Sequence, residues 1–249
     1  MHTLIESLKE LLDASKRAVV FTGAGISTES GIPDFRSPGG IWTKYQPIQF
    51  QDFVASEESR RESWRRRIAM TETFTASKPN RGHRAVAELV RRGTVSSVIT
   101  QNIDGLHQDS GIPDEQIIEL HGNVTYATCL DCAKRFELDA IYETFGVDET
   151  LPICDACDGI VKTATISFGQ AMPEDEMVRA QEETLSCDLF MVMGSSLVVY
   201  PAAGFPMTAK QNGAKLVIIN REPTEQDPMA DLVLNSQIGE TLGEAVGID

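Results

Sequence analysis

The chain has 249 residues, 41% hydrophobic and 24% charged, values that suit one large globular domain or a main domain carrying a smaller insert. Its 37 acidic and 22 basic side chains leave a formal charge of −15, which disfavours nucleic-acid phosphates and anionic lipid and mildly favours basic partners such as lysine-rich peptides. No apolar run approaches the roughly 18 residues of a membrane span, so the expectation is a cytoplasmic protein with neither membrane nor nucleic acid as partner.

The first segment carries apolar residues at helical spacing (Leu4, Ile5, Leu8, Leu11, Leu12) with early acidic residues. That predicts an amphipathic helix over 4–16 rather than a secretory leader. The apolar run 18–21 then enters the turn TGAGIST, a strand leading into a glycine loop that should open a helix. Residues of about 37–80 form a helical, arginine-rich excursion. Residues 81–92 predict a helix stopped by Gly93. Strands follow at 95–100, ending in QNIDGLH, and at 116–120, ending in HG. Two more lie at 188–193, ending in GSS, and 215–219, ending in NRE. A helix opens near Pro201 between these two, and a short helix over 239–247 closes the chain. Buried β-branched strands alternating with helices predict a doubly wound, Rossmann-like α/β domain with its polar motifs at the carboxyl edge of a parallel sheet. Residues 122–167 interrupt the alternation and read as a small inserted module, leaving 1–121 and 168–249 to the main domain.

Cys129, Cys132, Cys154 and Cys157 form two C-x-x-C pairs with 21 residues between them. Each knuckle sets two thiolates on one tight turn, and two knuckles at this interval predict one zinc ion in a zinc ribbon. With all four positions filled by protein the metal has no site for water, so it is structural. Cys187, at the head of an apolar strand, reads as a plain core residue. The glycine loop can cradle a phosphate or simply form a tight turn. It departs from the dehydrogenase fingerprint: Thr28 stands at the third glycine position, and no acidic residue ends a second strand about 20 residues on. Nucleotide binding is retained and hydride transfer weakened.

GAGIS (23–27), GIPDFRS (31–37), TQNIDGLH (100–107), ELHG (119–122), the two cysteine pairs, GSSL (194–197) and INRE (219–222) together resemble the sirtuin family, in order and spacing, from about residue 14 to the end. The resemblance implies an NAD-dependent protein lysine deacylase that consumes NAD and yields nicotinamide, O-acyl-ADP-ribose and free lysine. The acyl-lysine peptide or protein would lie between a Rossmann-like domain and a zinc-ribbon domain. On this resemblance His121 is the general base, suited to it because imidazole titrates near neutrality. Asn102 orients the ribose and a water, Asp104 holds the nicotinamide carboxamide beside Ile103, and Gln101 contacts a ribose hydroxyl. Arg36 meets a phosphate, and Phe35 shields the reacting ribose carbon. Gly23, Ala24, Gly25, Ser27, Thr28, Asp34, Gly194, Ser195, Ser196, Asn220, Arg221 and Glu222 line the dinucleotide, with Ile238 against the adenine. His107, within NIDGLH, reads as a packing or hydrogen-bonding residue.

Ser167, Phe168, Gly169 and Gln170 on one side, and Val198, Val199 and Tyr200 on the other, match segments that pair with the substrate main chain as strands. Gln170 stands where many sirtuins have glutamate. The Tyr-x-x-Arg pair of sirtuins that remove anionic acyl groups is absent. ESWRRRIAM, with Trp64, resembles class II members instead. Arg60, Arg61, Arg65, Arg66 and Arg67 could steer an anionic acyl group, or form a solvated face offsetting Glu57, Glu58 and Glu62. Protein ADP-ribosyl transfer and a non-catalytic NAD-sensing role remain alternatives. The oligomeric state stays open, a monomer included.

Overall fold

A computed structural model describes residues 2–249. The strands are β1 (Ala18–Thr22), β2 (Val95–Thr100), β3 (Ile117–Glu119), β4 (Gly122–Cys129), β5 (Arg135–Glu137), β6 (Val161–Thr165), β7 (Leu189–Met193), β8 (Lys215–Ile219) and β9 (Leu232–Leu234). Six of them form one all-parallel sheet in the order β3-β2-β1-β7-β8-β9. With the small-sheet strands β4 to β6 set aside, this is the doubly wound dinucleotide-binding order, whose direction reverses between β1 and β7. Ligands sit outside the carboxyl ends at such a reversal, so the fold itself locates the crevice.

The strand side chains alternate between two cores. Ala18, Val20, Met191, Met193, Val217 and Ile219 face one, and Val19, Phe21, Phe190, Val192, Leu216 and Ile218 the other. The helices are α1 (His2–Ala14), α2 (Ile41–Lys44), α3 (Phe50–Ala55), α4 (Glu57–Ala69), α5 (Thr71–Ala76), α6 (Arg81–Arg91), α7 (Leu106–Asp109), α8 (Leu138–Asp148), α9 (Glu174–Ser186), α10 (Phe205–Gln211) and α11 (Ile238–Val246). Leu8 and Leu12 of α1, Ala85 and Leu89 of α6, and Leu242 of α11 cover the first face; Ala180 of α9 and Ala209 of α10 cover the second. The first helix runs 2–14 rather than 4–16. Its end is fixed because the Asp188 carboxylate accepts from Ser15 Oγ at 2.5 Å and from the Lys16 amide at 2.8 Å.

The segment 122–167, whose sequence interrupts the alternation, contains a three-stranded antiparallel sheet, β5-β4-β6, and α8. Its core joins Ala127, Leu138, Ile141, Phe145 and Val161 to Cys129 and Cys154, and takes in Trp64 from α4 of the excursion. The loop after β1 differs from expectation too. It forms a seven-residue 3-10 helix, Ala24–Ser30, rather than opening an α-helix. No helix among the described residues is long and apolar enough to cross a membrane.

Candidate active site and metal centre

Gly23 follows β1 and Gly194 follows β7, one on each side of the reversal. The amides of Gly23, Gly25 and Ile26 are bonded to the carbonyls of Met193 (3.0 Å), Gly194 (2.8 Å) and Gly23 (3.1 Å), so these three amides do not face a phosphate. The glycines are required by contact between the two loops: a Cβ on Gly25 would stand 2.7 Å from Gly194 Cα, and one on Gly194, with φ +67°, 2.4 Å from the Ile26 nitrogen. Gln101 bridges the same loops, its Nε2 donating to Ser195 Oγ at 2.8 Å.

The loop after β2 is locked to the loop after β1 by a buried polar network. Ser27 Oγ donates to Asp104 Oδ2 at 2.7 Å and accepts from Asn102 Nδ2 at 3.2 Å. Asp104 Oδ1 accepts from the Leu106 amide at 3.0 Å. Burial pushes Asp104 above the usual carboxylate range, and the Leu106 and Ser27 donors work against that rise. His83, from α6, extends the network with Nε2 at 3.5 Å from Ser27 Oγ. His107 Nε2 lies 2.9 Å from Thr22 Oγ1, whose proton goes to Thr100 Oγ1, so this His107 nitrogen carries a proton. The two imidazoles lie 5.2 Å apart, fully buried, with neither Nδ1 partnered. Sequence reasoning assigned His83 no role; for His107 it expected packing or hydrogen bonding, and the structure shows both. The legible signal was Asn80, which caps α6 through Gly82 and His83 and so aims the first turn at the glycine loop.

His121 follows β3. Its Nδ1 stands 3.0 Å from the Gln101 carbonyl, which can only accept, so Nδ1 holds the proton and Nε2 presents a lone pair. Burial lowers its pKa, and the Gln101 carbonyl opposes the shift.

Asp34 shapes the 34–37 turn by accepting from the amides of Arg36 (2.9 Å) and Ser37 (2.8 Å). The Arg36 guanidinium stacks 4.2 Å over Trp42, half-buried, and burial lowers its pKa. Phe35, Trp42 and Phe168 stand in series, with ring centroids 5.5 and 5.4 Å apart. Thr28, Arg221, Glu222 and Ile238 line one cleft together with Gly25, Asp34, Gly194 and Asn220. Glu29, Ser236 and Gln237 also line it and were not foreseen; Glu29 accepts from the Gly239 amide at 2.9 Å and pins α11 there. Ala24 is half-buried beside this cleft's glycines, and Ser196 is exposed in the loop after β7. Ile103 is tied by its carbonyl to the Val124 amide at 2.8 Å.

Segments 167–170 and 198–200 are irregular rather than strands. Gln170 Oε1 accepts from the Ser167 amide at 3.1 Å, closing a turn that Gly169 completes at φ +81°. Phe168, Val198 and Tyr200 expose their apolar side chains, with Val199 half-buried between the last two. Four of the five excursion arginines are occupied. Arg61 pairs with Glu57, Arg65 with Glu58 and Glu149, and Arg66 with Glu62, while Arg60 caps the end of α3 at the carbonyls of Phe53 and Val54. Arg67 donates to the Val124 carbonyl at 3.0 Å, but its buried Nε is unpartnered, as are Trp64 Nε1 and Tyr142 Oη nearby.

The four cysteine Sγ atoms lie within 4.8 Å of one another, with Cys129–Cys157 at 3.5 Å and Cys132–Cys154 at 3.6 Å. Zinc–sulfur bonds of about 2.3 Å give a tetrahedral edge of about 3.8 Å, so these distances fit zinc. The amides of Cys132 and Asp131 draw the Cys129 thiol down to about 7, and the Cys132 thiol pushes Cys157 up to about 12. Thiols so close cannot all ionise without a cation among them.

Residues 23–201 match the Sir2 family profile. NAD-dependent protein deacetylase 1 of Bradyrhizobium diazoefficiens is 63% identical over 98% of this chain and 95% of its own length. NAD-dependent protein deacylase 2 of Archaeoglobus fulgidus is 44% identical over 99% and 96%. A solved Sir2 structure with a p53 peptide and NAD+ superposes with a TM-score of 0.88 at 35% identity, covering 98% of this chain and 97% of that one. Another, with a deacetylated p53 peptide and 3'-O-acetyl ADP ribose, gives 0.89 at 36% identity, covering 98% and 99%. Six parallel strands in doubly wound order, four convergent thiols and a histidine at the crevice therefore belong to a member of the Sir2 family.

Proposed function

We propose that this chain is an NAD-dependent protein lysine deacylase, releasing nicotinamide, O-acyl-ADP-ribose and free lysine. The observation that carries the reading is His121, whose Nδ1 proton is committed to the Gln101 carbonyl while Nε2 stays free as a base. In this reading NAD lies across the β1/β7 reversal, with Arg36 at its phosphates and Asn220 and Ile238 toward the adenosine end. Asp104, fixed by Ser27, receives the carboxamide; Asn102 orients the ribose; His121 Nε2 takes a proton from a ribose hydroxyl. The peptide lies between 167–170 and 198–200. Residues 122–167, with Trp64 of the excursion, form the zinc-bearing small lobe, where zinc holds the fold and does no chemistry. A cytoplasmic location goes with this reading.

Incubation with NAD and acyl-lysine peptides, with products identified by mass spectrometry, tests it. Free lysine and O-acyl-ADP-ribose are expected. An ADP-ribosylated protein without free lysine would assign transferase chemistry to the same pocket, and no NAD cleavage would leave a sensor. Uncharged acyl groups, acetyl or longer aliphatic, are expected to outperform succinyl, since three of the excursion arginines are neutralised by glutamates and a buried carboxylate without a partner costs several kcal/mol. Succinyl ahead by tenfold or more in kcat/KM, an advantage lost in Arg67→Ala, would reverse this and assign the carboxylate to Arg67.

A further inference from the structure

Lys162 lies in β6 and is only 4% exposed. Its Nζ donates to the Thr163 carbonyl at 3.3 Å and to the Thr165 carbonyl, and stands 5.8 Å from the Phe53 ring of α3. No carboxylate among the described residues pairs with it, and burial pushes its pKa down to about 8. A lone ammonium is costly to desolvate, and an unbranched apolar side chain would fill the same space without that cost. Core packing alone does not account for a charge here.

The ladder around it does. β4 and β6 pair regularly from Cys129–Val161 to Ala127–Thr163 and then slip, the next pair joining Gly122 to Thr165. On the β6 side, residues 123–126 of β4 therefore stand against the single residue Ala164, and the two carbonyls that Lys162 holds flank the interruption. Immediately beyond it the Ile166 amide donates to the His121 carbonyl at 2.8 Å, and the 167–170 turn begins. The Phe168 carbonyl in that turn accepts from the Phe50 amide at 2.9 Å, in the same short helix that lays Phe53 on the ammonium.

We propose that Lys162 is a positioning residue for deacylation: its ammonium holds the β6 carbonyls on both sides of the slip, fixing the course of β6 into the Ile166–His121 bond and the 167–170 turn for an acyl-lysine peptide. This rests on the deacylase reading. It places the peptide-facing turn under the control of a side chain that touches no substrate; none of the contacts of Lys162 reaches the β1/β7 crevice, so NAD affinity is held by other residues, and any effect passed on to His121 falls on turnover.

Lys162→Met and Lys162→Arg test it, each with zinc content and thermal unfolding measured first. Zinc-loaded Lys162→Met is expected to raise KM for the acyl peptide tenfold or more, to change KM for NAD less than twofold, and to speed hydrogen exchange at the Ile166 amide at least tenfold. Lys162→Arg, which keeps a cationic donor, should recover most of both effects. Wild-type KM and Ile166 exchange in the methionine variant would overturn the proposal, as would an equal rise in both KM values. Should Lys162→Met not fold, Lys162→Gln is read against the same thresholds, and failure of both to fold overturns the proposal in favour of a core role. Wild type assayed alongside distinguishes the two readings. If it frees lysine from no acyl peptide the deacylase reading fails, whereas exchange at Ile166 needs no substrate and still decides the role of Lys162.

Discussion

Ser27 Oγ lies 2.7 Å from Asp104 Oδ2, so one hydroxyl from the loop after β1 orients a carboxylate from the loop after β2. The carboxylate is buried and has few donors, so the loss of one is felt in full. A hydrogen bond to a charged group contributes about 1.5–3 kcal/mol, and Ser27→Ala should lower kcat/KM for NAD by roughly 10- to 150-fold on that basis. Steady-state kinetics with NAD varied is the check, with zinc content unchanged. Unaltered kcat/KM would mean that Asp104 is held by the Leu106 amide alone.

His121 should behave as a base whose protonated form is inactive. Burial lowers its pKa below the ordinary 6.5, so activity is retained above that value and lost as pH falls through the lowered pKa. The acid limb of kcat is expected below pH 6.5, and His121→Ala should cost about 10²- to 10⁴-fold in turnover with little change in NAD affinity. A pH–rate profile and calorimetric NAD binding test both parts; an acid limb above pH 7 would contradict the assignment.

His83 and His107 make a separate, purely thermodynamic prediction. Burial is the main cause that pushes them down to about 3 and about 4. Between those values and 6.5 the unfolded chain binds protons that the folded chain refuses, so stability is full above pH 6.5 and is lost as pH falls. Each histidine costs about 1.4 kcal/mol per pH unit, so the pair should give a slope of about 3 kcal/mol per unit between pH 5.5 and 4.5. Urea unfolding across that window measures it; half that slope would show that one ring is charged in the native state, and a flat curve that both are.

Metal removal should act through folding. The small lobe draws Cys129 and Cys154 into its own core, so a chelator is expected to unfold β4 to β6 and α8 and to abolish activity, while the parallel sheet keeps its circular dichroism. Cys132→Ser should reproduce the loss at lower metal concentration. Activity surviving in a protein with no measurable zinc would refute a structural metal.

Much of the parallel sheet could be read directly because β1, β7 and β8 are nearly uninterrupted apolar runs buried on both faces, and β2, VSSVIT, carries β-branched Val95, Val98, Ile99 and Thr100. β9 escaped notice: three residues carry no period. α9 is acidic along its length and buries only Ala180 and Thr184, too few for an amphipathic stripe. The small sheet was hidden because cysteine knuckles and a ladder slip break its alternation. Sequence pattern also placed His121, Asn102 and Asp104 at strand ends, where the structure finds them. It could not disclose Ser27, His83 and His107 as parts of one network, since their contacts join segments 56 to 85 residues apart in the chain.

Trp64 sits in the core of the small lobe, and Arg65 grips Glu149 at the end of α8 at 2.5 Å, whereas the chain leading into the same excursion begins at the Asp34–Ser37 turn of the crevice. The zinc-bearing lobe and the crevice are therefore joined by one continuous stretch of chain that runs from Arg36 through α2 and α3 to Trp64. Whatever factor an acyl peptide imposes on NAD affinity by shifting the lobe, NAD must impose on peptide affinity in return, so binding order becomes a property of the linkage between lobes rather than of either pocket.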